Sequence, residues 1–180
     1  MKTLNEEDAK LFYKLWLSLL TFVNKKFKMQ KKLGTLKSGL SIPEVRDVSQ
    51  RLWDDVSLID EYLDRTPRAS EEHRSIIESW KRRVRGEKFI LERHLQNGSI
   101  FIGKENKVYQ VKGISADWEK VSFYRKPPMI FDLTLLPFKD CIIYDGLAVH
   151  YPVIIGPTMA KGFKDTYMAA KKSKTIQKTL

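Results

Sequence analysis

The period of the apolar side chains changes at Gly86. Before it, large apolar residues recur every three or four positions, the spacing of one face of an α-helix. After it they alternate with polar residues in short runs broken by tight turns, the spacing of half-buried strands. A chain with that switch is expected to fold as α+β: N-terminal helices, then a small antiparallel β-sheet or partial barrel, and a C-terminal helix. The 180 residues suit one domain with a helical annex. They read as an N-terminal helix and linker (1–40), a helical lead-in (41–86) and a small β-rich domain with its C-terminal helix (87–180). Four Trp, seven Tyr and nine Phe supply a core, and no stretch approaches the about 20 uninterrupted apolar residues of a membrane span.

Asn5, followed by Glu6, Glu7 and Asp8, starts the first helix, with an Asx cap and acids at the positive end of the dipole. Its apolar positions include Leu11, Phe12, Leu15, Trp16, Leu19, Leu20 and Val23, leaving a thin polar stripe of Lys14, Ser18, Thr21, Lys25 and Lys28. A helix apolar around most of its circumference is covered by its own chain or by a partner. In a chain this small it suggests a homo-oligomer formed through Leu15, Trp16 and Leu19. Residues 31–39, with Gly34 and Gly39, read as a linker. Ser41-Ile42-Pro43-Glu44 is a capping box, opening a second helix with Val45, Val48, Leu52, Val56, Ile59 and Leu63 on one face. Thr66-Pro67 ends that helix, and Ser70 caps a third carrying Ile76, Ile77, Trp80 and Val84.

Beyond Gly86, Phe89–Leu95 and Ser99–Ile102 form a hairpin about an Asn97-Gly98 turn, and Glu105-Asn106 turns into Val108–Val111. Ile130–Leu136, Cys141–Tyr144 and Leu147–Ile155 are further strands, with Asp145-Gly146 as a turn. A last helix runs from about Met159 past Ala170 into a basic tail, Lys171–Leu180, expected to fray. The words Arg93-His94-Leu95, Leu135-Leu136-Pro137-Phe138 and Tyr144-Asp145-Gly146, behind the lead-in words Leu52-Trp53-Asp54 and Ser79-Trp80-Lys81, resemble a family of prokaryotic proteins with no assigned activity. The resemblance spans residues 44–170. It implies a recurring domain and no functional residue.

Chemistry is sparse. Gly156-Pro157-Thr158-Met159-Ala160-Lys161-Gly162 lacks the Gly-Lys-Ser/Thr ending of a phosphate loop, and Pro157 removes a donor such a loop uses. His73, His94 and His150 lack metal-ligand spacing, so neither a metal nor another cofactor is implied. The single Cys141 excludes an intramolecular disulfide, and the acidic start does not read as an export signal, so a cytoplasmic, bacterial setting is expected. If Asp145-Gly146 closes a two-residue hairpin, Cys141 lies opposite His150, the pairing of an activated thiol nucleophile. The alternative, that both are structural, is preferred. Asp54-Asp55 and Asp60-Glu61 read as a solvated helix face.

The net charge of +11 is blocky. Residues 1–40 sum to +6, 41–80 to −5, 81–113 to +6, 114–160 to −1 and 161–180 to +5. Basic blocks beside an acidic helix neutralise it, and any block left uncovered is a polyanion site. The strongest such candidate is Lys81, Arg82, Arg83, Arg85 and Lys88, with Phe89, Phe101 and Tyr109 nearby as core residues or stacking platforms. The expected function is a non-enzymatic binding or interaction module with an anionic partner, such as an acidic protein. A non-specific nucleic-acid binder and a hydrolase-type enzyme with a Cys/His pair are the alternatives.

Overall fold

Helices form where the apolar period is 3.6 and strands where it is two, in a computed structural model that describes residues 1–30, 42–86, 88–123 and 125–180. The linker expected over 31–39 and Ser41 of the capping box lie outside those residues. The chain divides into two units, residues 7–81 and residues 1–6 with 82–180.

The helical unit holds α1 (Glu6–Phe27), α2 (Ile42–Asp54), α3 (Ser57–Asp64) and α4 (Glu71–Ser79), the last running into a single 3-10 turn, Trp80–Arg82. The α1 face expected to meet a partner is internal instead. Trp16 stacks on Trp53 with ring centroids 5.3 Å apart and meets Trp80 edge-on at 5.8 Å. Phe12 also meets Trp80 edge-on, and Leu15, Trp16 and Leu19 are all buried. Large aromatic rings bury more area against each other than small residues would, and here they bring α1, α2 and the turn after α4 together. The single helix expected over 42–65 is broken. Asp55 accepts hydrogen bonds from Ser57 N–H (3.2 Å) and Ser57 Oγ (2.5 Å), so it opens α3 and is more than a solvated charge. Its partner hydroxyl stabilises the charged form, which holds the Asp55 carboxyl below its ordinary range. Ser70 caps α4 as expected, accepting from His73 N–H at 3.3 Å.

The second unit is a rolled, mixed sheet of β1 (Lys88–Leu95), β2 (Gly98–Ile102), β3 (Val108–Val111), β4 (Met129–Asp132), β5 (Leu135–Phe138), β6 (Cys141–Tyr144) and β7 (Val149–Tyr151), with helices α5 (Trp118–Val121) and α6 (Pro157–Ser173). The order is β5-β6-β3-β2-β1-β4-β7, antiparallel throughout except for β3 with β6. Chain length proves the roll. In a flat sheet β4 and β5 would stand five steps, about 24 Å, apart. Only Leu133 and Thr134 separate them, a reach of about 11 Å at most. The sheet therefore curls until β4 and β5 are successive halves of one bent course. Asp145 N–H donates to Thr134 O at 3.0 Å beside that bend.

Inside the roll, Trp118 of α5 packs on Phe101 (4.7 Å), Phe131 (5.7 Å) and Tyr144 (4.5 Å). Outside it, α6 lies on Ile100, Ile102 and Val108 through Tyr167 and Ala170, so β2 is buried on both faces. The first hairpin is shifted by one residue from expectation. Leu95 pairs with Gly98, which makes Gln96-Asn97 the turn. Gly98 sits at φ +129°, where a Cβ would stand 2.7 Å from Val111 O. The basic tail does not fray along its whole length. Gln110 N–H donates to Gln177 O and Gln177 N–H to Val108 O, both at 2.8 Å, adding residue 177 beside β3. Among the described residues no helix is long and apolar enough to cross a membrane.

Candidate functional site

A groove of about 490 Å³ lies within the helical unit. On α1, Lys14, Leu15 and Ser18 face it, with Lys14 and Ser18 one helical turn apart on the polar stripe. Tyr62 at the end of α3 forms the second wall, and the connection Arg65-Thr66-Pro67-Arg68-Ala69 crosses one end. His73 and Ile77, again one turn apart, form the third wall from α4. Pro67 blocks continuation of α3, and hydrogen bonds hold the connection in place. Thr66 N–H donates to Leu63 O (3.2 Å), Ala69 N–H to Thr66 O (3.0 Å) and the Arg74 guanidinium to Leu63 O (2.8 Å).

Leu15, Pro67, Ala69 and Ile77 make the groove apolar. Its ionisable residues are Lys14, Arg65, Arg68, His73 and Tyr62, and no carboxylate lines it. Arg65 is steadied by Glu61 at 2.9 Å and by the Phe22 ring, 5.6 Å from its guanidinium carbon. Burial pushes the Tyr62 phenol above its ordinary pKa, opposed by its hydrogen bond with Ser18, so the phenol is neutral at pH 7. Such a lining solvates an apolar body and neutralises an acidic head. It has no nucleophile paired with a base.

The residues expected from sequence are scattered. Leu15 reaches the groove, whereas Trp16 and Leu19 are buried. Lys81 pairs with Asp60 and lies 3.9 Å from Glu78, and Lys26 pairs with Glu61, so basic residues do neutralise the acidic helices of this unit. Arg82, exposed, donates to Leu180 O at 3.2 Å, whereas Arg83 and Arg85 are half-buried. Lys88 stands on β1, its ammonium 4.4 Å from the centre of the Tyr151 ring. Several members of the run thus make contacts within the chain. Phe89, Phe101 and Tyr109 are buried core, so they offer no stacking platform.

Cys141 and His150 are not partners. β6 pairs with β5 and β3, and β7 pairs only with β4, which sets His150 against Phe131. The strand after Asp145-Gly146 crosses to the other end of the sheet instead of folding back, because the roll brings that end near. Cys141 donates to Phe138 O at 3.2 Å and lines a polar cleft with Asp140, Lys112 and Lys178. The remaining histidine of the β unit, His94, has Nδ1 2.8 Å from Ser99 Oγ. Ser99 is buried, and Nε2 of His94 has no hydrogen-bond partner, so the pair lacks both substrate access and an orienting carboxylate. Among the described residues no group of three metal-binding side chains occurs.

The groove was not legible in sequence, since its walls lie about 50 residues apart. The weak signal was basic and breaker residues together in Arg65-Thr66-Pro67-Arg68. Comparison of the chain with family models, with curated proteins and with solved structures finds no match.

Proposed function

We propose that this chain is a non-catalytic binding protein whose helical unit holds an amphiphilic anion, an apolar body with an acidic head. The supporting observation is the groove itself: apolar walls with Lys14, Arg65, Arg68 and His73 and no lining carboxylate. This retains the expected anionic partner but moves its site from residues 81–88 to the α1–α3–α4 groove. A sulfonated naphthalene dye such as ANS is a direct probe, since it has both parts. The dye is expected to bind with enhanced fluorescence. Arg68→Glu should weaken it about tenfold, and Ala69→Trp should abolish it by filling the groove. Arg82→Glu, outside the groove, should leave it unchanged. Dye binding that ignores both groove variants sinks the reading.

A further inference from the structure

We propose that the solvent side of α6 holds the phosphate backbone of a nucleic-acid duplex, at a site that does not rest on the groove. α6 sits on the sheet through Phe163, Tyr167 and Ala170, which pack against Ile100, Ile102 and Val108. At about 100° per residue, Lys161, Lys164, Met168, Lys171 and Lys172 share an arc of about 100° elsewhere on the helix circumference. All of them are exposed. They form one row about 16 Å long.

The chain itself does not neutralise this row. Lys161 lies 3.6 Å from Asp165, the one acid among residues 161–180, where six lysines stand. Among the described residues Lys164, Lys171 and Lys172 make no ion pair. In the helical unit, by contrast, Lys26, Lys81 and Arg65 each meet a carboxylate. The dipole of α6 accounts for Lys171 and Lys172, which lie in its last turn, but not for Lys164, about two turns earlier. Helix stability therefore leaves part of the row unexplained.

The composition of the row selects its occupant. An amphipathic helix lies in an anionic membrane by its apolar face, and that face of α6 is covered by the sheet. A protein interface has an apolar core depleted of lysine, whereas this row has one large apolar side chain, Met168. Single strands are held by aromatic stacking, and no member of the row is aromatic. A duplex backbone needs only ammonium groups placed along a line, with no contact to base edges. Each strand of a duplex advances about 3.4 Å per phosphate, so a row of about 16 Å spans about five phosphates.

Fluorescence anisotropy of the full chain with a labelled DNA duplex, and with an RNA duplex of the same sequence, tests this. Binding of either supports the site, and the tighter of the two names its source. Affinity should fall about 60-fold between about 50 and 200 mM sodium chloride, the slope of about three neutralised phosphates, and should not depend on base sequence. Lys164→Gln, Lys171→Gln and Lys172→Gln, all at exposed positions, should each reduce that salt slope by about one with the circular dichroism spectrum unchanged. Ala69→Trp, which fills the groove, should leave duplex binding intact, and the lysine substitutions should leave dye binding intact, so either reading fails alone. No duplex binding at about 50 mM salt overturns the proposal, as does a salt slope indifferent to all three substitutions. Binding of phosphatidylserine vesicles through these lysines, with no duplex bound, also overturns it and assigns the row to a membrane.

Discussion

His94 links burial to pH. Loss of hydration lowers its pKa below the ordinary value of about 6.5, and Lys2 acts the same way, while Glu119 and Asp117 oppose. The folded protein therefore keeps this imidazole neutral at a pH where the unfolded chain already binds a proton. Stability associated with His94 is fully present above pH 6.5 and falls as pH drops toward the lower folded pKa. The urea midpoint should decline between pH 7.5 and 5.5, and His94→Gln should flatten that slope. An identical slope in the variant would assign the titration elsewhere. Arg93, the next residue, has a structural task. It forks onto Glu92, with one bond at 2.8 Å, and its guanidinium carbon lies 4.1 Å from the centre of the Tyr167 ring. Glu92 occupies the bulge where the β1–β2 register shifts, so Arg93 ties that irregularity to α6. Lysine would lose both the fork and the stacking.

At the scale of elements, α6 and its tail close the outer layer of the sheet. Gly156 precedes Pro157 at the start, and Lys174 ends the helix at φ +58°, a left-handed turn that sends the chain back along β3. Ile176 then packs against the cluster of Ile100, Ile102, Val108, Tyr167 and Ala170. Ile176→Ala should cost about 1–2 kcal/mol, less than a fully buried isoleucine because this side chain is partly exposed. Equilibrium urea denaturation measures it, and a change below about 0.3 kcal/mol would mean that the tail does not hold its place in solution. α1 shows why an amphipathicity reading stops short. Its nearly continuous apolar surface is compatible with a partner or with neighbours in the chain. The meeting of Trp16 with Trp53 and Trp80, which decides between them, is a long-range event.

For the whole molecule, ligand binding in the groove should respond to salt. An anion in the Lys14–Arg68 groove is held partly by charge, which added salt screens. Raising sodium chloride from about 50 to 500 mM should weaken dye binding. Dye fluorescence that stays constant over that range would remove charge from the chemistry of the groove.

The α+β class, the start of α1, the Ser70 cap and strands β1 to β3 were legible in residue order because they rest on local physics: side-chain period, capping hydrogen bonds and turn chemistry. Local details were missed, among them the Asp55 break, the one-residue shift at Gly98, the short helix α5, the break at Leu133-Thr134 in the strand expected over 130–136, and the shortness of β7 within the strand expected over 147–155, since a short polar side chain or a glycine admits neighbouring solutions of similar energy. Which strands pair, and hence the distance between Cys141 and His150, was decided only when the sheet rolled. That choice depends on how Trp118, Phe101, Phe131 and Tyr144 fill a common interior. The groove is of the same kind. Its basic and apolar residues are written plainly along the chain, but α1, α3 and α4 must pack before they face one space, and no short-range pattern encodes that meeting.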